Sequence, residues 1–126
     1  MNKLESSEDY LERILMLTEK NGSVRSIDIA NDMGFSKPSV SVAMKKLKAK
    51  GYIIVNDNGT IVLTPEGKQI AEYVYDKHRF LTNILISIGV NPVLAEEDAC
   101  KIEHELSDET FAKLREKFKD GKIYNH

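Results

Sequence analysis

The stretch from residue 24 to residue 51, VRSIDIANDMGFSKPSVSVAMKKLKAKG, predicts two short helices joined by a tight turn. Ser26 is a candidate N-cap for the first helix, and Gly34 ends it. Ser36 is a candidate N-cap for the second helix, which Gly51 closes. A helix pair with a glycine-containing turn is the arrangement of a helix-turn-helix, whose second helix enters the DNA major groove by its N-terminal end.

The segments on either side of this pair complete a recognisable unit. The following stretch, YIIVNDNGTIVLT, has two β-branched runs around Asp57-Asn58-Gly59 and predicts a β-hairpin. A hairpin directly after a helix-turn-helix is a wing, which lies along the phosphate backbone or the minor groove. An earlier amphipathic helix is predicted over residues 6–20, with Ser6 or Ser7 as its cap. We therefore expect a winged helix-turn-helix DNA-binding domain over residues 1–64.

Charge is segregated along the sequence, although the formal net charge is only -2. Five lysines and no acidic residue lie between Met33 and Asn56, whereas seven acidic residues and one lysine lie from Glu96 to Glu109. This distribution favours a polyanion site in the first half and a cation site in the second, and solvated helix faces are the alternative. Because the sequence has no apolar run long enough for a membrane span and no signal-peptide pattern, we expect a cytoplasmic protein.

Small side chains occupy the turns of the second helix that are expected to face DNA. Serine hydroxyls and the helix N-terminus suit phosphates, while Pro38 or Val42 could touch a thymine methyl group. No Arg, Asn or Gln stands in these turns, so much of the specificity is expected from DNA shape and apolar contacts. Ser36 and Ser39 could also be caps only. The candidate DNA-contacting residues are Arg25, Ser36, Pro38, Ser39, Ser41, Val42, Lys45 and Lys46, with Lys48 as a further phosphate contact.

The second half predicts three helices, over about residues 65–88, residues 92–106, and from Ser107 through Phe118. The long first helix has an apolar stripe that so small a lobe cannot cover. Its surplus face favours a homodimer, which would give the protein the two-fold symmetry of a palindromic operator. We therefore expect mainly α-helical structure, with residues 65–126 as a helical metal-binding and dimerisation domain.

The sequence EDACKIEHEL, residues 97–106, places Cys100, Glu103 and His104 on one side of a predicted helix. A lone histidine or cysteine is usually a packing residue. These three together with His78, on the apolar stripe of the preceding helix, form a denser set of donors than packing requires. Another i, i+3 pair of acids, Asp9 and Glu12, lies on the first helix, where Asp9 could instead complete a capping box with Ser6.

Five stretches together resemble the diphtheria-toxin-repressor family of metal-dependent transcriptional repressors, which includes iron-dependent repressors and the shorter manganese transport regulators. The stretches are SSEDYLERI, SIDIANDMGFSKPSVSVAMKKL, GYIIVNDNGTIVLTPEGK, KHRFL and DACKIEHELSDE. The resemblance implies a homodimer that binds Mn(II) or Fe(II), then binds double-stranded operator DNA and represses metal-uptake genes. It also implies the shorter form of the family, without the C-terminal SH3-like domain of the longer members.

The resemblance implies six metal ligands by matching position: Asp9, Glu12, His78, Cys100, Glu103 and His104. Asp9 and Glu12 match the manganese regulators, whereas the iron repressors have a methionine at position 9. Cys100 matches the iron repressors, and the manganese regulators have a glutamate there. The family's other metal site matches only at His78, because Thr82 replaces a carboxylate and Glu96 replaces a histidine. Glu96 is therefore the candidate ligand of a second metal site.

The donor types restrict the metal without selecting it. Carboxylates and imidazoles suit Mn(II), while a thiolate favours Fe(II), Co(II) and Zn(II), so Zn(II) or Co(II) could substitute in vitro. An alternative is a winged-helix regulator that responds to a non-metal signal or to a partner protein. An enzyme is not expected, because Cys100 and His104 have no evident orienting third group or oxyanion site.

Overall fold

The computed structural model describes residues 7–118, which form six helices and one two-stranded antiparallel sheet. This architecture confirms the predicted fold class. The elements in chain order are α1 (Ser7–Asn21), α2 (Ser26–Met33), α3 (Lys37–Ala49), β1 (Ile53–Val55), β2 (Ile61–Leu63), α4 (Pro65–Ser87), α5 (Pro92–Glu103) and α6 (Asp108–Lys117). The chain divides into two compact units between Tyr73 and Val74, within α4. In residues 7–118, no helix is both long enough and apolar enough to cross a membrane.

The core of the first unit forms where α1 packs against α2, α3 and β2. The apolar stripe of α1 is buried, and so are the inward-facing residues of the helix pair and the sheet. These residues include Tyr10, Leu11, Ile14, Val24, Ile29, Val40, Leu47, Ile53 and Ile61. Their burial fixes the orientation of α3, so the polar face of that helix points to solvent.

The start of α2 differs from the prediction. Ser26 is the first helical residue, and Arg25 occupies the N-cap position with extended backbone. The backbone N–H of Arg25 donates to an Asp28 carboxylate oxygen at 2.9 Å. The prediction of Ser26 as the cap was wrong because Arg25 also forms an antiparallel bridge with Thr60, which holds its backbone extended. The helix α2 therefore begins one residue earlier than the local pattern indicates.

The turn and the start of α3 agree with the prediction. Gly34 has a left-handed backbone with φ of +73°, and its N–H donates to the Ala30 carbonyl. Ser36 is the N-cap, and its hydroxyl oxygen accepts a hydrogen bond from the Ser39 N–H. Pro38 lies in the first turn of the helix. These local signals place the N-terminal turns of α3 at the surface.

The hairpin also forms where it was predicted. Ile53 pairs with Leu63, Ile54 with Val62, and Val55 with Ile61. The turn closes through a hydrogen bond from the Asn56 N–H to the Thr60 carbonyl, and Gly59 adopts a positive φ of +87°. The wing is therefore a short hairpin whose turn covers residues 56–60.

The helix α4 begins where the hairpin returns to the helix pair. The Thr64 hydroxyl donates to the Gly51 carbonyl at 2.7 Å and accepts from the Gly67 N–H at 3.1 Å. A Cβ atom at Gly67 would lie 2.0 Å from the Tyr52 carbonyl oxygen. Only glycine fits this close approach, which seats the first turn of α4 against the end of the helix-turn-helix.

The second unit contains a small apolar core on α4, α5 and α6. Phe80, Leu81, Ala99 and Phe111 are buried, and the rings of Phe80 and Phe111 meet edge to face at 5.5 Å between centroids. Ser107 caps α6 as predicted, accepting a hydrogen bond from the Thr110 N–H.

The predicted end of α5 at residue 106 was wrong by three residues, since the helix ends at Glu103. The N–H groups of Glu105 and Leu106 both donate to the Ile102 carbonyl, so the chain turns immediately after the helix. The Leu106 side chain thereby packs against the core.

Candidate metal centre and DNA-binding surface

Four of the predicted metal ligands lie together in the second unit. The Nδ1 atom of His78, on α4, is 3.3 Å from an Oε1 atom of Glu103, on α5. The ligand atoms of Cys100, Glu103 and His104 all lie within 4.8 Å of one another. The sequence therefore predicted correctly that these thiol, carboxylate and imidazole groups share one side of the helix.

Glu103 is the centre of this cluster. Its side chain is 1% exposed, and neither carboxylate oxygen accepts a hydrogen bond from the described residues. A buried carboxylate is costly unless a charge or several donors neutralise it. The imidazole nitrogens of His78 and His104 lie 3.3 and 4.0 Å from the Oε1 atom of Glu103. Two imidazoles, a thiol and a buried carboxylate are a donor set that fits a divalent transition metal.

The local structure of α5 sets the direction of these donors. The Asn91 side chain accepts from the N–H groups of Val93 and Leu94, and Pro92 starts the helix. Ala95 and Ala99 are buried, which turns the side carrying Cys100 and Glu103 toward α4. His104 is the C-cap but keeps a helical backbone, so its imidazole continues the same face.

The candidate second site is less complete. Glu96 is mostly exposed, and its Oε1 atom is 3.9 Å from the Nε2 atom of His78. Thr82 donates its hydroxyl to the His78 backbone carbonyl at 2.8 Å, which is a common use of threonine within a helix. Glu96 thus approaches the same imidazole as Glu103. A second metal site that uses Glu96 as a ligand stays a prediction.

The two remaining predicted ligands belong to the first unit. Asp9 and Glu12 lie on α1 three residues apart, and both are buried. Ser6, the alternative capping partner of Asp9, lies outside the described residues. The i, i+3 spacing puts the two carboxylates on one side of α1. Buried carboxylates at this spacing are again a pattern that a cation can stabilise.

The predicted DNA-contacting residues of α3 are all exposed. The small polar side chains occupy its first turns, and the lysines follow toward its C-terminus. Val42 is 52% exposed, so its apolar side chain is available for contacts. The exposed residues are Ser36, Pro38, Ser39, Ser41, Val42, Lys45 and Lys46. This surface offers hydroxyls, cations and apolar groups but no bidentate base reader.

Arg25 is exposed as predicted, but its contacts were not foreseen. Its guanidinium donates to the backbone carbonyl of Asn58, in the turn of the wing. The adjoining backbone supports the same contact, because the Ile61 N–H donates to the Val24 carbonyl at 2.8 Å. No pattern in the sequence signals a contact between the start of α2 and the wing.

A groove of about 540 Å³ beside α3 was also missed by the sequence analysis. Ser7 and Tyr10, from α1, form one of its walls. Pro38, Ser39, Val42 and Lys46, from α3, form the other. The exposed face of α3 is therefore concave on the side of α1, and Ser7 joins the residues that line it.

Two family patterns match almost the whole chain. The pattern described as the iron dependent repressor, N-terminal DNA binding domain, matches residues 4–60. The pattern described as the iron dependent repressor, metal binding and dimerisation domain, matches residues 64–126.

Individual relatives agree with these patterns. The transcriptional regulator MntR of Salmonella typhimurium is 35% identical over 109 residues, which cover 86% of this chain and 69% of that protein. An uncharacterised helix-turn-helix transcriptional regulator of Methanocaldococcus jannaschii is 37% identical over 121 residues, covering 92% of this chain and 97% of the relative.

The solved structure of a manganese-dependent transcriptional repressor in complex with manganese is similar, with a TM-score of 0.79 and 27% identity. The match covers 89% of this chain and 52% of that one, so the chain spans about half the length of this solved structure. The family patterns, the sequence relatives and the fold agree with one another. The chain belongs to the diphtheria-toxin-repressor family, the metal-dependent transcriptional repressors known as iron-dependent repressors.

Proposed function

We propose that this protein is a metal-activated transcriptional repressor that binds operator DNA as a homodimer when it is loaded with Mn(II) or Fe(II). The observation that carries the proposal is the buried Glu103 carboxylate, which has no hydrogen-bond donor among the described residues and faces two imidazoles. A carboxylate in this setting suits a bound cation better than a purely structural role.

The metal ligands are His78, Cys100, Glu103 and His104 from the second unit, with Asp9 and Glu12 from α1. These residues supply six donors, within the coordination number of first-row divalent metals. Bound there, a divalent cation would neutralise the buried carboxylates. The histidines and carboxylates favour Mn(II), and the Cys100 thiolate adds affinity for Fe(II), as well as for Co(II) or Zn(II) in a purified sample.

The DNA-binding surface is the exposed face of α3 together with the wing. Ser36 and Ser39 at the N-terminus of α3 suit phosphate contacts, and Lys45 and Lys46 add charge that positions the domain. Val42 and Pro38 suit apolar contacts with thymine methyl groups. Specificity then depends on these contacts and on DNA shape.

The homodimer forms through exposed apolar residues near the turn between α4 and α5. Four large apolar side chains are exposed there: Ile86, Ile88, Val93 and Leu94. Because monomeric proteins rarely expose such a cluster, it supports a subunit interface. A two-fold dimer would present two copies of α3 to the two halves of a palindromic operator.

A selection experiment tests the proposal and does not require a known operator sequence. Metal-free protein is incubated with a pool of random duplexes, once with Mn(II) under anaerobic conditions and once with a chelator. We expect a palindromic sequence to be enriched only with metal. The variant Glu103→Gln, tested in parallel, should enrich nothing specific, whereas Glu97→Gln, an exposed change on the same helix, should behave as wild type.

Equal enrichment of one sequence with metal and with chelator would contradict metal activation. It would favour the alternative function, a winged-helix regulator that responds to a non-metal signal or a partner protein. Repeating the selection with Fe(II) compares the two proposed effectors directly.

A further inference from the structure

The wing of this protein has an unusual composition for a DNA-contacting hairpin. Residues 52–64 contain no lysine or arginine, and their only charged residue is Asp57. Phosphate contacts depend mainly on arginine, lysine and polar hydrogen-bond donors. The wing therefore has no cation of its own with which to contact the DNA backbone.

Arg25 brings a cation to the turn of this wing. Its guanidinium donates to the Asn58 carbonyl, and its backbone pairs with Thr60 across an antiparallel bridge. The Ile61 N–H donates to the Val24 carbonyl beside this bridge. The segment before α2 thus acts as a short third strand that ties the wing to the helix-turn-helix.

The positive charge of Arg25 stays uncompensated. The Asn58 carbonyl is neutral, and no carboxylate among the described residues lies within ion-pair distance of the guanidinium. The nearby Asp28 carboxylate instead accepts the backbone N–H of Arg25. Since a guanidinium has five N–H donors, several are left for an anion after the Asn58 contact. Arg25 is exposed, so an anion can reach it.

We infer that Arg25 has two linked roles: it positions the wing, and it supplies the charged phosphate contact that the wing's own residues lack. This inference rests on the DNA-binding role proposed above. A single arginine would then couple the approach of the wing to the placement of α2 and α3, because one side chain touches both the hairpin turn and the DNA backbone.

Three substitutions separate the two roles. Arg25→Gln keeps a donor for the Asn58 carbonyl but removes the charge. Arg25→Lys keeps the charge but loses the planar guanidinium group. Arg25→Ala removes both the charge and the hydrogen-bond donor. Affinity for a random-sequence duplex is measured by fluorescence anisotropy over a range of salt concentrations. Hydrogen exchange at the Ile61 and Asn56 amides reports whether the wing stays attached. Lys20→Gln, an exposed change at the end of α1, is the control for charge alone.

We expect Arg25→Gln and Arg25→Ala to reduce the slope of log affinity against log salt by about 0.9 for each phosphate interaction that the substitution removes. Arg25→Lys and Lys20→Gln should keep the wild-type slope. Exchange at Ile61 should accelerate in Arg25→Ala and stay close to wild type in Arg25→Gln. An unchanged slope in Arg25→Ala would overturn the phosphate contact, and unchanged exchange in that variant would overturn the positioning role.

The random duplex requires neither an operator nor a metal response. If the selection described above gave no metal-dependent enrichment, the proposed repressor function would fail, while the Arg25 measurement would still decide its own question. A wild-type protein that binds no duplex even at low salt would overturn both.

Discussion

Glu103 is the residue on which the proposed metal site depends most. Replacing it with glutamine keeps its size but removes the charge and one metal-binding oxygen. In the wild type, metal at about 100 times its dissociation constant should add about 2.7 kcal/mol to the free energy of unfolding. In Glu103→Gln this stabilisation should largely disappear, because the variant lacks the central ligand. Thermal unfolding with and without Mn(II) measures the difference.

The control for this experiment is Glu97→Gln, which makes the same chemical change at an exposed position of α5. It should retain the full stabilisation by metal. Metal stabilisation of Glu103→Gln equal to that of the wild type would place the cation elsewhere.

Cys100 allows a direct spectroscopic test, because it is the only cysteine of the chain. Any thiolate-to-metal band observed with Co(II) must therefore come from this residue. We expect anaerobic titration of the metal-free protein with Co(II) to give a saturable near-ultraviolet band that is absent in Cys100→Ser. Saturable Co(II) binding without the band would show that the carboxylates and imidazoles hold the metal alone, which would favour manganese as the effector.

At the scale of the elements, the sequence predicted what depends on neighbouring residues. The caps Ser36 and Ser107 and the turn glycine Gly34 were correct because a cap bonds within its own first turn. Ser26 failed as a cap because Arg25 is held extended by Thr60, a distant residue.

In the predicted metal site, too, some features depend on neighbouring residues and others on how distant segments pack. The spacing of Cys100, Glu103 and His104 follows from the helix period alone. Leu106 fits the apolar period of α5, so the prediction extended the helix to this residue. In the structure the helix ends earlier, and Leu106 packs against the core after the chain has turned. The 3.3 Å contact between His78 and Glu103 depends on how α4 and α5 pack, which no local pattern gives.

The N-terminus of α3 combines a structural and a functional role in Ser36. Ser36→Ala removes the cap and should lower the free energy of unfolding by about 1 kcal/mol. Ser36→Asp should retain stability, since aspartate is an equally good cap, but should weaken duplex binding because its carboxylate faces phosphate. Urea unfolding and fluorescence anisotropy measure the two effects. Wild-type DNA affinity in Ser36→Asp would show that this end of α3 does not face the DNA.

For the whole molecule, the proposed function means that metal binding and operator binding are thermodynamically coupled. If metal raises operator affinity by some factor, operator must raise metal affinity by the same factor, typically ~5 to 150-fold. We expect this equality when the Mn(II) affinity is measured with and without operator, and the operator affinity with and without Mn(II). Unequal factors would mean that a further equilibrium, such as dimerisation, contributes to the response.

Asp9 and Glu12 are the residues through which this coupling should reach the DNA-binding unit. In the double variant Asp9→Ala/Glu12→Ala, the fold and the dimer should persist, and the remaining four donors should still bind metal weakly. The coupling factor should fall toward one, because the metal would then contact no residue of α1. Glu19→Ala, an exposed change on the same helix, should keep the wild-type factor. A wild-type factor in the double variant would instead mean that α1 takes no part in the metal response, and that any coupling to the operator passes through α4, the one helix that belongs to both units.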